Sequence, residues 1–150
     1  NSPLASSSIP DDFEVPFGKA RIRKFGNDLT IVTYGNTLIH CIEAAEILAK
    51  ESIDVEVIDL RSLIPLDKET ILNSIKKTNK VLVVHEDKVF SGFGSEISSM
   101  IMEEAFEFLD APVKRVGSTY TPVGFNRILE KAILPNTEKI ITAVKELLAY

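Results

Sequence analysis

Residues 55–96 read VEVIDLRSLIPLDKETILNSIKKTNKVLVVHEDKVFSGFGSE. Val55–Leu60 and Val81–His85 are short, β-branched and nearly continuous in apolar residues, the pattern of strands covered on both faces of a parallel sheet. Between them, Asp67 predicts a helix N-cap, and Leu66 and Ile71 are spaced for a hydrophobic staple around it. A strand, a helix and a second strand in that order imply a crossover onto a parallel neighbour. Both strand runs end in charged residues, Asp59 and Arg61 after the first, His85 and Glu86 after the second. In an open α/β sheet, ligands and partners meet the protein at strand ends, so function is sought there.

The same alternation continues outward. Leu29–Tyr34 and Val113–Val116 are two further buried-strand runs. Lys19–Phe25 sets Lys19, Arg21 and Arg23 against Ala20, Ile22 and Lys24, which suits an edge strand with one wet face. Thr37–Lys50 carries Leu38, Cys41, Ile42, Ala45 and Leu48 on one helical stripe and His40, Glu43, Glu46 and Lys50 on the other. Ser95–Leu109 and a shorter Phe125–Ile133 are the next helices, and Thr137 is placed to cap a last one, with Ile140, Ile141, Val144, Leu147 and Leu148 inward. Strands alternating with helices predict a three-layer α/β/α domain with right-handed crossovers.

The 150 residues suit one domain, with 45% hydrophobic and 26% charged residues. A net charge of −5 opposes a nucleic-acid footprint, which needs clustered Lys and Arg. No apolar run approaches the ~20 residues of a membrane span. Cys41 is the single cysteine, which fits a cytosolic setting. Met100 and Met102 are the only methionines. Residues 1–16 are rich in Ser, Pro and Asp without amphipathic period, so they are expected to be a linker or the remnant of an upstream region, with the domain spanning 17–150.

The motifs do not complete a catalytic set. His85-Glu86 would need a histidine at position 89 for an HExxH zinc site, and Val89 stands there. There is no GxSxG elbow for a serine triad. What remains is a titratable pair at a strand end, a place where site residues gather; the plainer reading is a solvated strand end or a contact to a neighbouring domain. Gly92-Phe93-Gly94 precedes a helix, but Ile97 replaces the third glycine of a dinucleotide fingerprint. A helix N-terminus there could hold an anion, although close packing and tight helix entry explain the glycines more simply. Tyr34-Gly35-Asn36-Thr37 is a second junction, with Asn36 or Thr37 as cap, and it lacks a lysine for phosphate. Asp59 and Arg61 could form an ion pair on one face of the strand end. Such a domain completes, docks or assembles an enzyme rather than performing the chemistry alone.

The ordered blocks VPFGKARIRKFGNDLTIVTYG, EAAEILAKESIDVEVIDLRSLIPLD, KVLVVHEDKVFSGFGSEI and DAPVKRVGSTYTPVGF, followed by a late ILP, resemble the C-terminal domain of E1 β subunits of 2-oxo-acid dehydrogenase complexes, relatives of transketolase. The resemblance covers about residues 9–149. It implies a five-stranded mixed sheet whose first strand is an antiparallel edge. It also implies a fragment of an enzyme that decarboxylates a 2-oxo acid with thiamine diphosphate and magnesium and passes the acyl group to lipoyl-E2. The family holds its cofactor between other domains, so this chain alone is expected to bind no cofactor or metal, carry no catalytic residue and show no turnover. His85, Glu86, Gly92, Gly94 and Glu96 match one family block, and Asp59, Arg61, Pro65 and Asp67 another; these residues are expected to border the active site or a domain contact. Glu146 and the carboxylate of Tyr150 are the expected E2-docking groups. The implied partners are the other E1 domains or an α subunit, the E2 subunit-binding domain and a second copy in a dimer, with no nucleic acid and no membrane. The implied compartment is cytoplasmic, or the mitochondrial matrix in a eukaryote. Tyr120 stands where the family usually has aspartate. Two alternatives are the matching domain of a deoxyxylulose-phosphate synthase and a flavodoxin-like nucleotide- or flavin-binding module.

Overall fold

The computed structural model describes residues 14–122 and 124–150. Most of the expected 1–16 linker therefore lies outside the described residues. Five strands, β1 (Arg21–Lys24), β2 (Leu29–Thr33), β3 (Val55–Asp59), β4 (Val81–Lys88) and β5 (Lys114–Ser118), form one sheet in the order β1-β3-β2-β4-β5. β2, β3, β4 and β5 run parallel, and β1 pairs antiparallel with β3 at the edge, Ile22 opposite Ile58. The amphipathic reading of β1 holds, with Arg21 and Arg23 exposed and Ile22 half-buried.

Four helices cover the two faces, α1 (Thr37–Ala49), α2 (Lys68–Thr78), α3 (Phe93–Ala105) and α5 (Thr137–Leu148); α4 (Arg127–Ile133) lies apart from both cores, and a 3-10 turn spans Phe106–Phe108. Alternate strand residues feed two cores, because successive side chains of a strand point to opposite faces. Leu29, Ile31, Val57, Leu82 and Val84 pack against α1 and α5. Val32, Ile58, Val81 and Val83 pack against α2 and α3, on Ile71, Ile75, Ile97 and Ile101. Cys41 is fully buried in the first core; burial pushes its thiol pKa up to about 12, against a smaller lowering by the Thr33 hydroxyl.

The helix starts follow local chemistry. Asp67 caps α2 as expected, accepting from the Thr70 N–H at 3.2 Å, and its other oxygen accepts from the Ala20 N–H at 3.0 Å, tying the approach to β1 to α2. Asn136 rather than Thr137 caps α5, accepting from the Lys139 N–H at 3.0 Å. At α1 neither expected residue caps by its side chain: Asn36 makes no cap bond, and the Thr37 hydroxyl turns back to the Tyr34 carbonyl at 2.8 Å. A buried polar ladder also joins β2 and β3 to α2. Thr30 pairs with Ser74 at 2.6 Å and Thr78 at 2.7 Å, and Ser74 donates to the buried Glu56 carboxylate, which also meets Lys77.

Candidate functional site

After β2 the chain moves to one side for β3, then returns to the other side of β2 for β4 and β5. The reversal lies between β2 and β4, and in open α/β sheets the crevice beyond the strand carboxyl ends at such a point is the usual ligand position. Tyr34 follows β2 there and His85 lies in the second half of β4. Their rings stack with centroids 6.3 Å apart and planes 11° apart, while Phe93, at the first position of α3, meets Tyr34 edge-on at 6.3 Å. Aromatic side chains thus line the α3 side of this crevice.

β4 is longer than its apolar run predicts. Its pairing with β5 slips between Val84 and Lys88, so that Val84 faces Val116 and Lys88 faces Ser118. A bulge of this kind re-aims side chains. Here it lies across His85, Glu86 and Asp87 and is pinned by the Ser118 hydroxyl donating to the Glu86 carbonyl.

The expected His85–Glu86 pair is not one. His85 is fully buried and Glu86 is exposed. The solvated-strand-end reading fails for His85 too. Neither ring nitrogen has a hydrogen-bond partner among the described residues. Burial lowers its pKa; nearby Asp87 opposes that and Arg115 reinforces it, so the ring is neutral at pH 7. Burial also raises the Tyr34 phenol pKa, with Asp87 adding to the rise.

Gly94 is where the histidine fits. α3 begins at Phe93 rather than Ser95, which places Gly94 in the first helical turn, where a Cβ would overlap the His85 ring. A Cβ on Gly117 of β5 would lie 3.0 Å from His85 Cε1. Gly92 is the N-cap of α3, packed on the Lys88 carbonyl. The packing reading of these glycines is therefore the correct one, and Glu96, one turn further on, is exposed.

Asp59 and Arg61 make no side-chain ion pair. Asp59 accepts from the Arg61 backbone N–H at 3.2 Å, while the guanidinium donates to the Lys19 and Ala20 carbonyls at 3.1 and 3.3 Å. Strand β2 separates this cluster from His85, by about 10 Å at ordinary strand spacing. The expected residues therefore form two groups. Glu146 forms an ion pair with Lys114 and keeps 56% side-chain exposure; Tyr150 is 75% exposed.

Two residues here, Gly117 and Arg115, carried no motif signal, and Tyr34 was marked only as part of a helix junction. Tyr34 supplies the ring on His85, Gly117 gives it room, and Arg115 donates to the Val89 carbonyl at 2.8 Å and the Ser95 hydroxyl at 2.5 Å, holding the loop into α3. The sign available in the sequence was a basic residue inside the short β5 run.

The family described as "Transketolase, C-terminal domain" matches residues 18–140. The pyruvate dehydrogenase E1 component subunit beta, mitochondrial, of Dictyostelium discoideum is 46% identical over 142 residues, covering 95% of this chain and 40% of that protein. The pyruvate dehydrogenase E1 component subunit beta of Rickettsia felis is 42% identical over 146 residues, covering 97% and 45%. The chain thus spans less than half the length of these relatives. Among solved structures, the one described as "Split gene transketolase, inactive beta4 tetramer" superposes with a TM-score of 0.79 at 30% identity, over 92% of this chain and 44% of that one. A transketolase mutant of Pichia stipitis shares the fold at a TM-score of 0.62 and 14% identity, over 88% and 18%.

Proposed function

The chain belongs to the transketolase C-terminal domain family, and from that premise we propose that it is the C-terminal domain of a pyruvate dehydrogenase-type E1 β subunit. In that enzyme a 2-oxo acid such as pyruvate is decarboxylated and the acyl group passes to lipoyl-E2. The observation that supports this reading is identity of 42–46% to such subunits along nearly the whole chain. The enzyme would work in the cytoplasm, or in the mitochondrial matrix of a eukaryote.

Thiamine diphosphate and magnesium belong to the whole enzyme in this proposal. The described residues do not fit them: no group of three His, Cys, Asp or Glu side chains lies together in a way that could hold a metal. His85 is closed off from any substrate. No step of the reaction is therefore assigned to these side chains. The role proposed for the domain is assembly. The bulge at His85–Asp87, the Arg115-held loop and Glu96 face the neighbouring E1 domain, the α subunit contacts the assembled β subunit, and a second β copy completes the enzyme. Glu146 and the Tyr150 terminus face the E2 subunit-binding domain.

Replacing the matching region of the Rickettsia felis β subunit with this chain, beside that enzyme's α subunit, tests the reading. The chimera should assemble and reduce an artificial electron acceptor with pyruvate. A chimera that assembles and binds thiamine diphosphate yet shows no activity with any 2-oxo acid overturns it. Calorimetric titration of thiamine diphosphate with magnesium into this chain alone should give no binding heat, and clear binding would overturn the placement of the cofactor elsewhere.

A further inference from the structure

Helix α4 is held in an unusual way. None of its seven residues is buried against the described residues. A helix this short does not persist in water on its own, and this one lacks the packed face that normally stabilises a helix. Polar bonds hold it instead. Asn126 caps its start, accepting from the Ile128 N–H at 2.8 Å. At its end, Lys139 of α5 donates to the Ala132 and Leu134 carbonyls at 2.6 and 2.8 Å, and the Asn136 amide donates to the Lys131 carbonyl at 3.2 Å. The Thr119 N–H donates to the Ile133 carbonyl at 3.2 Å. The outcome is a helix held by polar bonds that leaves Ile128 78% and Leu129 54% exposed.

Between α4 and the start of α5 lies a groove of about 540 Å³. Ile128 and Ala132, four residues apart, give it an apolar floor, and Arg127 and Lys131, also four apart, form a parallel basic row, since side chains at that spacing share one helix face. Lys139 adds a third cation, and the one carboxylate is Glu138, 3.9 Å from Lys131. This local excess of positive charge sits on a chain of net charge −5.

We propose that this groove docks an amphipathic helix of a partner protein, with an apolar edge on Ile128 and Ala132 and carboxylates along the Arg127–Lys131 row. An apolar floor beside a single charged row matches helix-in-groove recognition. The polar caps that already hold α4 in helical form favour binding, because less of it has to be ordered on docking. The proposal concerns a surface separate from the Glu146–Tyr150 face and does not depend on which 2-oxo acid the enzyme uses.

The test titrates this chain against two labelled probe peptides by fluorescence anisotropy at low salt. One is a Leu/Glu amphipathic helix and the other its Leu/Lys charge-swapped twin. Global charge favours the basic twin, so only a local site reverses the order. The acidic peptide should bind about tenfold tighter, and Arg127→Glu with Lys131→Glu should reverse that preference. Lys50→Glu, a distant exposed change, should leave it unaltered. Equal binding of both peptides, tighter binding of the basic one, or indifference to the double variant overturns the proposal. So does sedimentation showing a dimer that Ile128→Asp dissociates, because a second copy would then fill the groove. Unchanged far-UV circular dichroism certifies that each variant is folded.

Discussion

At Gly94, two opposing effects can be weighed against each other. Alanine in a helix gains about 1 kcal/mol over glycine, and Gly94 lies in the first turn of α3. A Cβ there collides with the His85 ring, and overpacking of a dense core costs about 1–3 kcal/mol. Gly94→Ala should therefore destabilise by up to about 2 kcal/mol in urea unfolding, as the difference of those two terms. In a His85→Ala background the loss should shrink, with a coupling of about 0.5 kcal/mol or more. The same ring sets a pH dependence. His85 holds a lowered pKa when folded, chiefly through burial, and about 6.5 when unfolded. Below pH 6.5 the unfolded chain binds a proton that the folded chain refuses, so stability falls as pH drops, by at most about 1.4 kcal/mol per pH unit. Urea midpoints between pH 7 and 5 should show this slope, and His85→Leu should flatten it. An unchanged slope in that variant would assign the effect to other groups.

Between elements, burial decides which polar contacts matter. Ser74 is 4% exposed and links α2 to Thr30 of β2 and Glu56 of β3. Ser74→Ala leaves the buried carboxylate short of a donor and should cost about 1–3 kcal/mol. Lys68 and Glu104 also pair across elements, but in solvent, and Lys68→Met should leave the urea midpoint unmoved. The same contrast explains what the sequence disclosed. Strand alternation in Lys19–Phe25, the apolar runs of β2, β3 and β4, and the Asp67 cap are local patterns, and each was readable. The continuation of β4 to Lys88 was not, because Glu86 and Asp87 read as the end of a strand; the bulge against Val116 and Ser118 is a contact with residues 32 and 30 positions away. His85 misled for the same reason. The residues that follow it in the chain are charged, while its neighbours in space are Tyr34, Gly94 and Gly117, supplied by three other segments. Close packing was the expectation for Gly94, and the ring it packs on was the part that only the fold supplied.

At the scale of the whole molecule, the two cores make a sheet buried on both faces, and the surfaces left over are the ones for partners. The proposed E2-docking face can be probed by itself. Deleting Tyr150 and replacing Glu146 with Gln should weaken binding of an E2 subunit-binding domain and reduce the salt dependence of that binding; calorimetry at two ionic strengths measures both, and unchanged affinity counts against this face. Because Glu146 is also paired with Lys114, Lys114→Met separates the two roles: it removes the internal partner and leaves the carboxylate available to E2. The sealed thiol in the α1–α5 core has a use of its own. Only the thiolate is reactive, and Cys41, the sole cysteine, is both buried and held far from ionisation. The chain therefore carries an internal clock for its own opening. Each molecule takes at most one alkyl group on cysteine, at a rate proportional to the population in which α1 has lifted from the sheet, so a mass spectrum after timed alkylation counts breathing events one at a time.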